Sequence, residues 1–446
     1  MTGKRAVVAL LALSGGTFLY VTNEALPIGL MLPLAADLAV PPSRVGMLVT
    51  AYGAVVVLAS IPLTVVTRNV PRRRLLSVLL AGFVVTAVVS ALASSFWLML
   101  VARMAGAATQ ALYWAVVVPT AAALFPPHLR GRAVAVVFAG STAALAVGVP
   151  AGAWLGELVG WRVTFLAVGG LGLAALMAIA ALLPSTPAGR GHSARGTTPD
   201  ARRFWLLVAV AALATTGALT AYTYVAPFVT EVGGLVPAAV GTVLLVRGVA
   251  SMLGVLAIGP VVDRRPWLAL TATVAVQSVA LLALYAGGHL AIAAVGLVAV
   301  AGLAFAALTT ALGGLVLEVA PGRSDIAAAA VSTAVNVGIT GGALIGGLLL
   351  PGFGVRSTVL VGGLLSAAAV LLALGEKLLP PARTPAPVTG IRGPDEVSAG
   401  PDGQLRQRVG PVAMAEATPT RSARRPHHAR RDDELRDRAP CTDGGG

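Results

Sequence analysis

Three stretches of this sequence, residues 75–93, 133–155 and 327–350, contain no Asp, Glu, Lys or Arg. A helix needs roughly 20 apolar residues to cross a hydrocarbon layer about 30 Å thick, and each stretch meets that length unaided. Membrane-crossing strands alternate apolar and polar residues, whereas these runs are apolar on every side and rich in Ala, Gly and Leu. The chain carries only 11% charged residues, against roughly 25% in soluble domains. The expected class is an all-α membrane protein.

Blocks of this kind recur at 6–32, 45–66, 75–93, 97–119, 133–156, 163–183, 204–229, 238–260, 267–287, 290–317, 326–350 and 356–376, which makes 12 transmembrane helices. A formal charge of +14 raises the question of nucleic acid, and the placement of the charge answers it. Of the 32 Lys and Arg, 12 follow from Lys377 onward and 18 lie at the N-terminus or in short connections, leaving Arg103 and Arg247 inside apolar runs. No nucleic-acid partner is expected from that distribution. Fifteen Lys and Arg fall on the N-terminus and alternate connections and three, Arg44, Arg162 and Arg356, on the opposite ones. Positive charge marks the cytoplasmic face, so both termini are expected in the cytoplasm. Lys4 and Arg5 before the first run read as the start of an uncleaved first helix. The single Cys441 has no metal-ligand spacing around it, and no cofactor or metal is expected.

Residues 184–203 are rich in Gly, Ser, Thr, Pro and Arg and read as a cytoplasmic linker between six-helix halves at 1–183 and 204–376. From 377 to 446 the composition turns to Pro, Arg, Asp and Gly, that of a disordered tail. The halves repeat one another. Val45-Gly46 and Gly53 recur as Val240-Gly241 and Gly248, a shift of 195, and the 67–71 connection recurs at 262–266. Gly160-Trp161-Arg162 returns as Gly354-Val355-Arg356 at a shift of 194, and Gly148 and Gly152 map onto Gly342 and Gly346. Two halves in one orientation are the parallel-repeat plan of a transporter with its site at their interface.

Several of these residues together carry a family likeness. They are Val21-Thr22-Asn23-Glu24-Ala25-Leu26-Pro27 in the first span, Pro71-Arg72-Arg73-Arg74 after the second, Arg103 in the fourth, and Gly148-Val149-Pro150-Ala151-Gly152 in the fifth. Gly160-Trp161-Arg162 and Gly259 with Asp263-Arg264 complete the set. On these residues the chain resembles the major facilitator superfamily, in its drug:proton antiporter branch, and within that the sugar-efflux and chloramphenicol-exporter group. The resemblance covers about residues 6–376 and implies the major facilitator fold, a bacterial plasma-membrane location, a monomer, and small-molecule substrate and protons as partners beside the lipid bilayer. It departs from the family at Arg68-Asn69, where an acidic residue is usual, and at Val149-Pro150, where Gly-Pro is usual.

Glu24 is the sharpest candidate site residue, because an ionised carboxylate within an apolar span costs several kcal/mol unless paired or hydrated. A Glu near a helix end that reaches headgroup water gives the same pattern. The resemblance implies that spans one and four line a central cavity, so a Glu24–Arg103 ion pair is expected as the proton-coupling element, with a purely structural pair as the alternative. Gln110 and Trp114 share a helix face with Arg103, and Tyr20 and Met31 share one with Glu24. These four, with Tyr222, Tyr224 and Asn336, are substrate-cavity candidates; ordinary helix packing is the competing reading. Arg247 is assigned to the cavity as well, either for an anionic substrate group or for a backbone carbonyl. Arg72, Arg73, Asp263 and Arg264 are gating candidates. Gly140, Gly148, Pro150, Gly152, Gly342 and Gly346 are assigned to helix packing, since small residues let helices approach closely. No nucleotide loop or catalytic cluster is visible, so a non-enzymatic, proton-coupled exporter is expected, with a proton-coupled importer and a non-transporting sensor as alternatives.

Overall fold

The computed structural model describes residues 3–126, 129–184, 199–321 and 324–378. Most of the linker assigned to 184–203, and the tail assigned from 377 onward except its first two residues, lie outside them. Twelve helices among the described residues are long and apolar enough to span a membrane: α1 (Arg5–Gly29), α2 (Pro42–Thr67), α3 (Arg72–Ala91), α4 (Phe96–Ala123), α5 (Arg130–Val159), α6 (Trp161–Leu182), α7 (Ala201–Tyr222), α8 (Pro237–Arg264), α9 (Pro266–Gly287), α10 (Ala291–Val316), α11 (Ala329–Phe353) and α12 (Arg356–Lys377). No strand occurs among the described residues.

The helix packing repeats. In the first half α1 packs on α5 and α6, α4 on α2 and α3, and α3 on α6; in the second half α7 packs on α11 and α12, α10 on α8 and α9, and α9 on α12. Each contact maps onto its counterpart by adding six to the helix number. The repeated Gly-x-Arg motif has a structural reason. Gly160 and Gly354 adopt φ of 94° and 74°, a conformation that glycine takes without steric cost, and each turns the chain directly into the next span. Arg162 then donates to Ala93 O at 3.1 Å and pairs with Asp37 at 2.6 Å, while Arg356 donates to Tyr285 O at 2.7 Å. Each arginine fastens the sixth helix of its half to the connection between the third and fourth, or to the end of the third.

Between the halves, α2 packs on α11 and α5 on α8, again symmetry mates. A Cβ at Gly46 would fall on the Tyr224 hydroxyl, one at Gly241 on the Trp154 ring, and one at Gly248 on the backbone of Ala146. Pro150 explains the last approach. It cannot donate to the carbonyl four residues back, and α5 widens into a π-turn over Ala144–Gly148. Such turns accommodate an irregular rung, and it is against this one that Gly248 rests.

These close approaches lie in the half of the bundle away from the chain termini, here the far end. One core cluster joins Leu30, Leu48 and Val149 of the first half to Tyr224, Val240 and Leu244 of the second. At the terminal end the second half has a separate core built around Leu207, Leu312 and Ala373. The terminal end of α2 is open, with Leu58, Ile61 and Val66 between 72% and 78% exposed. The halves therefore meet at the far end and part toward the terminal end.

Candidate functional site

Proline 27 organises the polar centre of the first half. Without an N–H it leaves the carbonyl of Asn23, four residues back, without a helical donor. Arg103 of α4 supplies the missing bond and adds another: its guanidinium donates to Asn23 O at 2.5 Å and to Glu24 O at 2.7 Å. The side chain is 1% exposed, and its guanidinium carbon lies 4.6 Å from the Tyr52 ring centre. Arg103 starts seven residues inside the far end of α4, which at 1.5 Å per residue sets this centre about 10 Å deep.

The Glu24 carboxylate turns elsewhere. Its Oε2 accepts a 2.6 Å hydrogen bond from Gln110 Nε2, and Gln110 Oε1 accepts one of 2.7 Å from the Tyr52 hydroxyl. Gln110 and Tyr52 are 2% and 1% exposed, while Glu24 is half-buried. No Lys or Arg nitrogen among the described residues comes within 4.0 Å of this carboxylate. The expected Glu24–Arg103 ion pair is thus corrected: the guanidinium repairs the proline-broken helix, and the carboxylate is held by an amide. A neutral donor satisfies one carboxylate oxygen without neutralising its charge.

Two residues missed on sequence complete this centre. Tyr52 joins α2 to the chain, and Pro27 dictates where Arg103 points. The signal for Pro27 was its spacing of four from Asn23. The same Pro recurs in the second half as Pro227, where Thr223-Tyr224-Val225-Ala226-Pro227 parallels Asn23-Glu24-Ala25-Leu26-Pro27 at a shift of 200, and there α7 ends at Tyr222, ahead of two short helical turns.

The remaining candidates divide. Arg247 is 6% exposed, its guanidinium 3.6 Å from the Tyr222 ring centre, and both line a cavity inside the second half. Tyr20, Met31 and Tyr224 are fully buried and face no cavity. Tyr20 donates to Leu79 O at 2.8 Å and packs on Phe83 and Tyr113; Tyr224 donates to Ala343 O at 2.8 Å in the crevice between Gly46 and Gly346. Their assignment to a substrate cavity is corrected, since helical spacing identifies a shared face but not what that face meets. Trp114 is half-buried and stacks on Phe138 at 5.7 Å, and Asn336 donates to Ser332 O of its own helix. Arg73 donates to Ala180 O within its own half, Arg72 is half-buried, and Asp263 and Arg264 are exposed and form no ion pair among the described residues. Gly140, Gly148 and Gly152 carry α5 along Ser14, Thr22 and Leu26 of α1, and Gly342 and Gly346 carry α11 along Thr216 and Tyr224.

Comparison with known proteins decides what this architecture is. A sequence profile of the Major Facilitator Superfamily matches residues 13–324. The chain belongs to that superfamily. As a major facilitator it is a transporter of small molecules, multi-pass in its membrane. It is 31% identical over 79% of its length, and 90% of the relative's, to a protein named probable sugar efflux transporter from Mannheimia succiniciproducens. A protein of the same name from Helicobacter acinonychis is 29% identical over 81% of this chain and 93% of its own. Among solved structures, a bacterial homologue of the human lysosomal transporter Spinster superposes with a TM-score of 0.64 at 17% identity, covering 84% of this chain and 96% of that one, which is a likeness of fold.

Proposed function

We propose that this transporter is a proton-coupled exporter of a small molecule, working as a monomer in a bacterial plasma membrane with both termini in the cytoplasm, and that Glu24 carries the proton. The observation that supports this most is the chain Glu24–Gln110–Tyr52. It runs from the one carboxylate held at depth in the first half to α2, whose next residue, Gly53, packs against Thr340 of α11 in the other half. Protonating Glu24 removes the charge that Gln110 is oriented to satisfy, and Gln110 in turn releases or turns Tyr52 beside the seam on which the halves rock. The driving force is ample, because one charge crossing 100 mV is worth roughly 2.3 kcal/mol. Export rather than import is favoured by the relatives, two of which are named as efflux transporters.

In this orientation the open terminal end faces the cytoplasm, the side from which an exporter loads. The test uses purified protein in proteoliposomes with an imposed pH gradient. Glu24→Gln is expected to abolish gradient-driven substrate movement while leaving substrate exchange across a membrane without a gradient. Transport that keeps its full pH dependence in Glu24→Gln would overturn the assignment.

A further inference from the structure

We infer that the second half holds a ligand pocket of its own, built for a monoanion with an apolar body, in which Arg247 takes the anionic group. Naming this ligand as the exported substrate rests on the exporter reading above; the pocket itself does not.

The pocket is a small, partly open crevice among α7, α8, α9, α10 and α12, too small for a two-tailed lipid. Arg247 reaches it because α10 has no side chain at Gly302: a Cβ there would stand 2.5 Å from Arg247 Cγ. The guanidinium carbon sits 3.6 Å from the Tyr222 ring centre, a contact that consumes none of its five N–H donors. Among the described residues no carboxylate lies within 4.0 Å of it, and no acceptor for these donors is found there. A charge buried without partners is costly, so a group kept this way in a cavity is matched to something that enters.

A second polar group on the wall is also incomplete. Gln277 is 1% exposed; its Nε2 donates to Ala214 O and Ser366 Oγ, both at 2.9 Å. Those bonds fix the amide, and its Oε1 is buried without a donor. The rest of the wall is apolar, with Phe228, Leu281, Leu284 and Phe305 prominent. A neutral sugar would leave most of its hydroxyls unpaired against that wall, whereas a small ring or branched chain bearing a carboxylate matches both parts.

Repeat symmetry places the same chemistry differently in the first half. Arg247 occupies the position of Tyr52, and the counterpart of Arg103 is Val298, which also lines this pocket. Arg103 satisfies backbone carbonyls; Arg247, moved to a different helix, has none to satisfy. It also precedes Gly248, which rests on Ala146 of the other half, so an occupant is felt at the seam between halves.

The test is equilibrium binding of radiolabelled 4-hydroxyphenylacetate to the purified full chain, with its neutral amide, with tyramine as the matched cation, and with arabinose as competitors. The acid is expected to bind, the amide at least tenfold more weakly, and tyramine and arabinose not to compete. Arg247→Gln should weaken binding at least tenfold, and Phe305→Trp, which fills the cavity, should do the same without touching the charge. If Arg247→Gln does not fold, the ligand series on the native chain together with Phe305→Trp decides. Equal binding of acid and amide, no binding of the acid, or binding unchanged in Arg247→Gln or Phe305→Trp would overturn the proposal. No gradient is imposed, so Glu24→Gln should bind as the native chain does, and a failure of proton coupling stays separate from a failure of this pocket.

Discussion

At the scale of single residues, the arginine of α4 acts on a helix rather than on an acid. Removing it leaves the Asn23 and Glu24 carbonyls without its donors, and a buried acceptor left unpaired costs about 1–3 kcal/mol. Arg103→Leu is therefore expected to lower stability by about 2 kcal/mol, read as a fall in the thermal midpoint of the purified protein. Pro27→Ala restores an N–H to the broken rung, so adding it to Arg103→Leu should recover part of that loss, a coupling that a simple charge pair does not produce. The family resemblance placed Glu24 beside Arg103, and helical spacing put Gln110 on the same face as Arg103. Neither revealed that Arg103 answers Pro27, since the consequence of a proline falls on a backbone atom that carries no label in the sequence. Tyr20, Met31 and Tyr224 misled for a related reason: periodicity places side chains on a face, and only packing decides whether that face meets space or another helix.

At the scale of helices, glycine sets how closely the halves approach. Gly46 leaves room for the Tyr224 hydroxyl. Gly46→Leu is expected to hold the far end apart and reduce transport at least tenfold with helix content unchanged by circular dichroism; Tyr224→Ala added to it should restore part of the activity. Gly248→Val, pressed against the π-turn of α5, should act likewise, because backbone cannot move aside as a side chain can. This level was largely legible from sequence. Charge-free runs of spanning length and a repeat at a shift of about 195 each follow from the bilayer or from duplication, and so survive without coordinates. The exception was the seventh span, expected to run through 204–229. Its helix stops at Tyr222, because Pro227 cannot pair with Thr223 and the chain re-forms in short turns.

At the scale of the molecule, the far end is closed and the terminal end parted, so the chain rests in one of the two arrangements that alternating access requires. Bridging Trp154→Cys to Gly241→Cys with a short thiol reagent, in a Cys441→Ser background, should hold it there: transport stops and returns when the bridge is cleaved. Transport that persisted through the bridge would mean that the far end need not open. The two buried guanidiniums, placed on non-equivalent helices of a duplicated plan, carry a consequence for descent. One copy turns its guanidinium onto its own backbone; the other leaves it beside an apolar wall. Mutations around Arg247 can accordingly change what that pocket accepts, generation by generation, while the copy built around Arg103 is inherited intact.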